Sequence, residues 1–214
     1  MTTSLSKYEY LPLFDGATIE YKVIDFTGIW YPDNFKLDIF TRQGRTDHVR
    51  VTSGLSSCPA FTGFAQFWHT LDFPDLPIRP GMSLRNGLTV SENGLYYLGE
   101  AINEFGNFTS PYIAILTNSP VAGERIEGKS KTYLSCKDST LLRDDYLWSY
   151  RTIQHYELWG IFPDVWRTAL WEHETNHVYN YAFAKDIGMV NIWHGFMDVN
   201  GNVVGTEYYA LLGL

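Results

Sequence analysis

The stretch from Thr175 to Leu211 constrains the fold of this chain more than any other. It reads HVYNYAFA, then DIG, MVNIWHGFM, DVNGN and VVGTEYYAL. Apolar and polar residues alternate between Gly-containing breaks, the pattern of half-buried strands joined by tight turns. The period of two predicts an antiparallel meander, with side chains pointing up and down by turns.

Upstream, short extended runs recur between Gly, Pro, Asn and Asp. ATIEYKVIDF precedes a turn-rich TGIWYPDN, and FKLDIFTRQG and RTDHVRVTSGL read as separate strands. FPDLPIRPG carries three prolines and is expected to be a loop or an edge crossing. SLRNGLTV and GLYYLGEAI flank Ser91-Glu92-Asn93-Gly94, whose Asn-Gly pair signals a hairpin. YIAIL and GERIEGKSKTYLSC follow as strands. LLRDD reads as a charged turn leading into YLWSYRTIQHYELWG, long enough for one strand, and then into DVWRTALWE. The best helix candidate is DSTLLRDDYLWSY, and it is weakly amphipathic. No linker or repeat divides the 214 residues, so one domain, 1–214, is expected.

Composition narrows the partners. A net charge of −8 argues against nucleic acid, whose binding rests on Lys and Arg neutralising phosphates, and equally against an anionic membrane surface. No apolar run approaches the length of a membrane-spanning helix. MTTSLSKYEYLPLF lacks a basic start and an apolar core, so no signal peptide is expected in this chain, which leaves export and a cytoplasmic location both open. The 7 Trp, 15 Tyr and 13 Phe suit a pleated surface and also suit an aromatic-lined cavity. Cys58 and Cys136 lack metal-site spacing and are either free thiols or one long-range disulfide. Asn107-Phe108-Thr109 is a formal glycosylation acceptor.

Two motif matches fail on context. Gly123 to Ser130, GERIEGKS, fits the phosphate-loop pattern, but two glutamates would repel the phosphates and no helix-forming segment follows. His173-Glu174-Thr175-Asn176-His177 fits the zinc-peptidase pattern HExxH, in which a helix places both imidazoles on one face. The surrounding Trp, Thr, Asn, Val and Tyr are poor helix formers, and His194 and Glu207 are the only later candidates for a third ligand. In a hairpin, His173 and His177 would point the same way around the turn. His48, His69, His155 and His194 read as isolated, and Asp144-Asp145 as a solvated pair. No catalytic constellation and no cofactor site are expected.

A family likeness rests on GLYYLGE at 94–100, ILTNSPVAGERIEG at 115–128, IFPDVWRTALWE at 161–172, YNYAFAKDIGMVNIW at 179–193 and the closing GTEYYAL. These resemble bacterial extracytoplasmic domains of the lipoprotein-carrier-like type, over about 94–212. The resemblance implies an all-β fold with minor α: a strongly curved antiparallel sheet forming an incompletely closed barrel. It implies a periplasmic or extracellular location and non-catalytic carriage of a hydrophobic or amphipathic small molecule on the concave face. On strand parity Trp148, Tyr150 and Tyr156 share one face, as do Trp166 and Leu170, and as do His177, Tyr179, Tyr181 and Phe183. Trp148, Tyr150, Tyr156, Trp166, Tyr179, Tyr181 and Phe183 are therefore the expected ligand-binding residues. Two other readings compete with carriage. One is a metal-dependent hydrolase using His173, Glu174 and His177, and the other is a self-assembling structural subunit of unknown oligomeric state.

Overall fold

A computed structural model describes residues 18–52, 65–67, 83–91, 94–102, 108–117, 122–123, 125–133, 140–153, 162 and 164–211. Its strands are β1 (Thr18–Tyr31), β2 (Lys36–Thr52), β3 (Ala65–Phe67), β4 (Ser83–Ser91), β5 (Gly94–Ile102), β6 (Phe108–Thr117), β7 (Arg125–Tyr133), β8 (Leu141–Ile153), β9 (Val165–Glu172), β10 (His177–Ala184), β11 (Gly188–Met197) and β12 (Asn202–Leu211). Among the described residues there is no helix. Eight strands form one antiparallel sheet in the order β2-β1-β12-β11-β10-β9-β8-β7. The order continues through β6-β5-β4-β3, joined to β7 by the pairs Ser110–Tyr133 and Pro111–Thr132. The sheet is open, with β2 and β3 at its two ends.

From β4 onward each strand pairs with the next in sequence, the cheapest connectivity for short turns. The departure is β1, which pairs β12 in unbroken register from Glu20–Leu211 to Ile29–Asn202. Alternation explains the C-terminal strands as expected. β10 and β11 are buried along nearly their whole length, so both faces of the sheet are covered there. In a flat sheet, strands three places apart stand about 14 Å apart. Cα atoms of β6 nevertheless come within 8 Å of β9.

Three expectations are corrected, and a fourth, the strand reading of the phosphate-loop match, agrees with the structure. TGIWY belongs to β1, and the turn is confined to residues 32–35. FKLDIFTRQG and RTDHVRVTSGL form one strand from Lys36, because Gly44 pairs with Ile24 and a register shift between Lys22 and Ile24 absorbs residues 45–47 without ending the pairing. LLRDD is the first part of β8, neither turn nor helix, since Leu141 and Arg143 pair with Tyr133 and Thr132. The phosphate-loop match runs from a turn at Ala122-Gly123 into β7, so it offers no helix N-terminus to an anion. Cys58, Cys136, Asn107, His69, His155 and the FPDLPIRPG segment lie outside the described residues.

Register sorts the side chains onto two faces. One, here the tyrosine face, carries Tyr21, Tyr179, Tyr181 and Tyr208 with Trp166, Leu170, Phe183 and Ile192. The opposite face carries a core of Phe26, Trp30, Phe35, Ala169, Val178, Trp193, Met197 and Val203. Trp30 meets Trp193 and Phe35 edge to face, with centroids 5.8 and 5.4 Å apart. Gly195 and Gly205 stand opposite each other, and the tip of the Phe26 ring lies over them. A Cβ on Gly205 would come within 2.3 Å of the His194 carbonyl oxygen, so this crossing requires glycine.

A polar ladder runs along the same opposite face. The Arg42 guanidinium donates to Glu207 at 3.4 Å, Asn191 Nδ2 donates to Glu207 at 3.2 Å, and Asn180 Nδ2 donates to Asn191 Oδ1 at 3.4 Å. The carboxylate accepts only, so it fixes the Asn191 amide orientation and, through it, that of Asn180. These bonds tie β2, β12, β11 and β10 together beneath the apolar core.

Candidate functional site

The site candidate is the tyrosine face at the end of the sheet where the β9–β10 and β11–β12 turns lie. Its rows follow from register. Trp148, Glu172, His177, Phe196 and Val204 form the row nearest the turns. Leu170, Tyr179, His194 and Thr206 form the next, with Tyr150 at the corresponding backbone position of β8. Thr168, Tyr181, Ile192 and Tyr208 form the third, and Trp166 and Phe183 the fourth.

Exposure falls along these rows. Phe196 is 53% exposed and Val204 67%, whereas His194 is 7% exposed and Ile192 and Tyr208 are fully buried. Phe196 and Val204 of the first row thus form an apolar rim, while Trp148 and Glu172 of that row and the later rows are buried.

Beside the rim sits a polar cluster. The Glu172 carboxylate accepts hydrogen bonds from Thr175 Oγ1 at 2.9 Å and from the Tyr179 hydroxyl at 3.3 Å. His177 Nδ1 stands 3.9 Å from the same carboxylate oxygen and 3.5 Å from the Tyr179 oxygen. The His194 ring stacks on Tyr179 with centroids 4.5 Å apart, and Tyr179 stacks on Tyr181 at 6.1 Å. The two imidazoles meet edge to face at 4.9 Å. Burial lowers the pKa of His177. Burial, with the neighbouring His177, lowers that of His194 to about 3. Both rings are neutral at physiological pH and act as planar, weakly polar walls. His194, isolated on the page of the sequence, is at the centre of this cluster.

The peptidase motif is a strand, a four-residue turn and a strand. His177 pairs with Glu172, and Asn176 closes the turn with φ 52°, a left-handed conformation that Asn tolerates. The two histidines do not point the same way. His173 stacks on Trp171 at 4.1 Å and bonds to Ser149 through Nε2 at 2.6 Å, both residues of the opposite face. His177 lies on the tyrosine face. The sheet therefore stands between the imidazoles that a helical HExxH would converge, so these two rings do not form the arrangement that motif describes. Among the described residues no three His, Cys, Asp or Glu side chains gather as a metal site. Glu207, the other late candidate, belongs to the ladder of the opposite face.

Of the seven expected ligand residues, Trp148, Trp166, Tyr179, Tyr181 and Phe183 share the tyrosine face, and the backbone of Tyr150 pairs with Leu170. Tyr156 lies outside the described residues. Sequence parity grouped residues within each strand, but it could not align one strand with another. That alignment is what adds Glu172, His194, Thr168 and the Phe196–Val204 rim. Among the described residues no helix is long and apolar enough to cross a membrane. No family model, curated protein or solved structure matches the chain.

Proposed function

We propose that the tyrosine face binds a hydrophobic or amphipathic small molecule without reacting with it. The observation carrying this reading is the concentration of aromatic side chains on one face, graded from an exposed apolar rim to a buried interior. Ligand sites of this kind combine apolar walls with a few polar groups that fix orientation. Tyr179, His194 and Glu172 supply those groups here.

The approach of β6 to β9 supports a curved sheet, which in this proposal is an incompletely closed barrel with the tyrosine face inside. Such curvature agrees with the resemblance to lipoprotein-carrier-like domains, and the family assignment is part of the same proposal.

Native mass spectrometry and thermal unfolding test the reading. Single-chain amphiphiles added in excess are expected to give one-to-one adducts and to raise Tm, by mass action on the folded state. Tyr179→Ala should abolish the rise. A chain that takes up no amphiphile and whose Tm stays constant would refute the proposal.

A further inference from the structure

The Thr168 hydroxyl is one of the buried polar atoms on the tyrosine face that make no hydrogen bond. Thr168 is fully buried, and its hydroxyl makes no hydrogen bond in the structure. Its neighbours by register are Tyr181 across the β9–β10 pair, Thr152 across the β8–β9 pair, and Trp166 and Leu170 along its own face of β9. Leaving a buried hydroxyl unsatisfied carries a desolvation cost that valine, of the same shape and better suited to a strand, would avoid. A hydroxyl aimed into an aromatic face is thus chemistry kept for a partner.

Resting on the reading of this face as the ligand site, we infer that Thr168 bonds the polar end of the ligand. The ligand is then a neutral amphiphile with one oxygen-bearing terminus, as in a long-chain alcohol or amide, seated with that terminus inward. Three observations fix the orientation and class. The Phe196–Val204 rim is apolar and exposed, which suits a hydrocarbon tail. Thr168 lies two rows deeper, four residues along β9 from Glu172, or roughly 13 Å, about the span of a medium-length alkyl chain. Trp166, Leu170, Tyr181, Phe183 and Ile192 around it are uncharged, so an ionised terminus would be desolvated without compensation there.

Binding of three probes with one tail length, 1-decanol, decane and decyltrimethylammonium, tests this by tryptophan fluorescence titration. The unsubstituted chain is expected to prefer decanol. Thr168→Val should weaken decanol about five-fold while leaving decane binding unchanged and raising the Tm of the ligand-free chain, and Thr168→Ser should restore decanol binding. Equal decanol affinity in the valine variant, or decyltrimethylammonium bound as tightly as decanol, overturns the inference and leaves the ligand face standing. Failure of all three probes to bind the unsubstituted chain overturns both.

Discussion

His194 shows how a single residue ties this molecule to pH. Its imidazole is buried against Tyr179 and His177, which lowers its pKa to about 3, below the ordinary histidine value. Between those two values the unfolded chain binds a proton that the folded chain refuses. Stability is therefore complete above about pH 6.5 and declines as pH falls, by up to about 1.4 kcal/mol per unit. His177, also lowered by burial, contributes with the same sign. Urea unfolding at pH 7, 6 and 5 should show this decline, and His194→Gln should flatten it. Identical slopes in the two proteins would contradict the burial of that ring. Ser149 and His173 form a second short contact at 2.6 Å, but Ser149 is sealed beneath the ring, so the pair serves the β8–turn junction.

At the scale of elements, the crossing of β11 and β12 depends on absent side chains. Gly205→Ala would place its methyl against the backbone of His194 and Gly195 and against the Phe26 ring. A loss of about 2–3 kcal/mol is expected from denaturant unfolding. Gly44→Ala on β2, where a Cβ would meet nothing within 4 Å, should change stability by less than about 0.5 kcal/mol. Comparable effects at both positions would show that the register of β11 against β12 is misplaced. The same two glycines mark where strands were legible from sequence. β10 to β12 are interior strands, β10 and β11 buried on both faces, and the turns that separate them follow from the residues alone. β2 is an end strand, exposed from Phe40 to Gly44, so burial imposes no pattern there and Gln43-Gly44 reads misleadingly as a break. In β8, LLRDD faces the part of β7 where register shifts twice, between Ser130 and Tyr133, and periodicity fails with it. The pairing of His177 with His194 required the β10–β11 register, including the shift at Ala182–Phe183, which no single-strand pattern encodes.

For the whole molecule, the two faces imply an uneven distribution of stability. β10 and β11 are flanked by strands and buried above and below, whereas β2 pairs, among the described residues, only with β1. Hydrogen exchange should protect amides of β10 and β11 at least about 100-fold more than those of Phe40–Gly44. Uniform protection would mean that β2 is covered by a further element. The buried ladder from Arg42 to Asn180 links these extremes, since it reaches from the end strand to the centre.

β1 and its partner β12 carry a consequence for biosynthesis. Thr206 reaches Asp25 across 181 positions of chain, and β1 is registered against β12 from Glu20 to Ile29. A ribosome adding about 5–20 residues per second releases the two strands roughly 10 to 40 s apart. Through that interval the nascent β1–β2 hairpin has an unsatisfied backbone edge and its Phe26 and Trp30 rings lack Gly205 and Trp193 to rest on. Protection by a chaperone, or delayed collapse until the last strand emerges, is thus a requirement written into the connectivity.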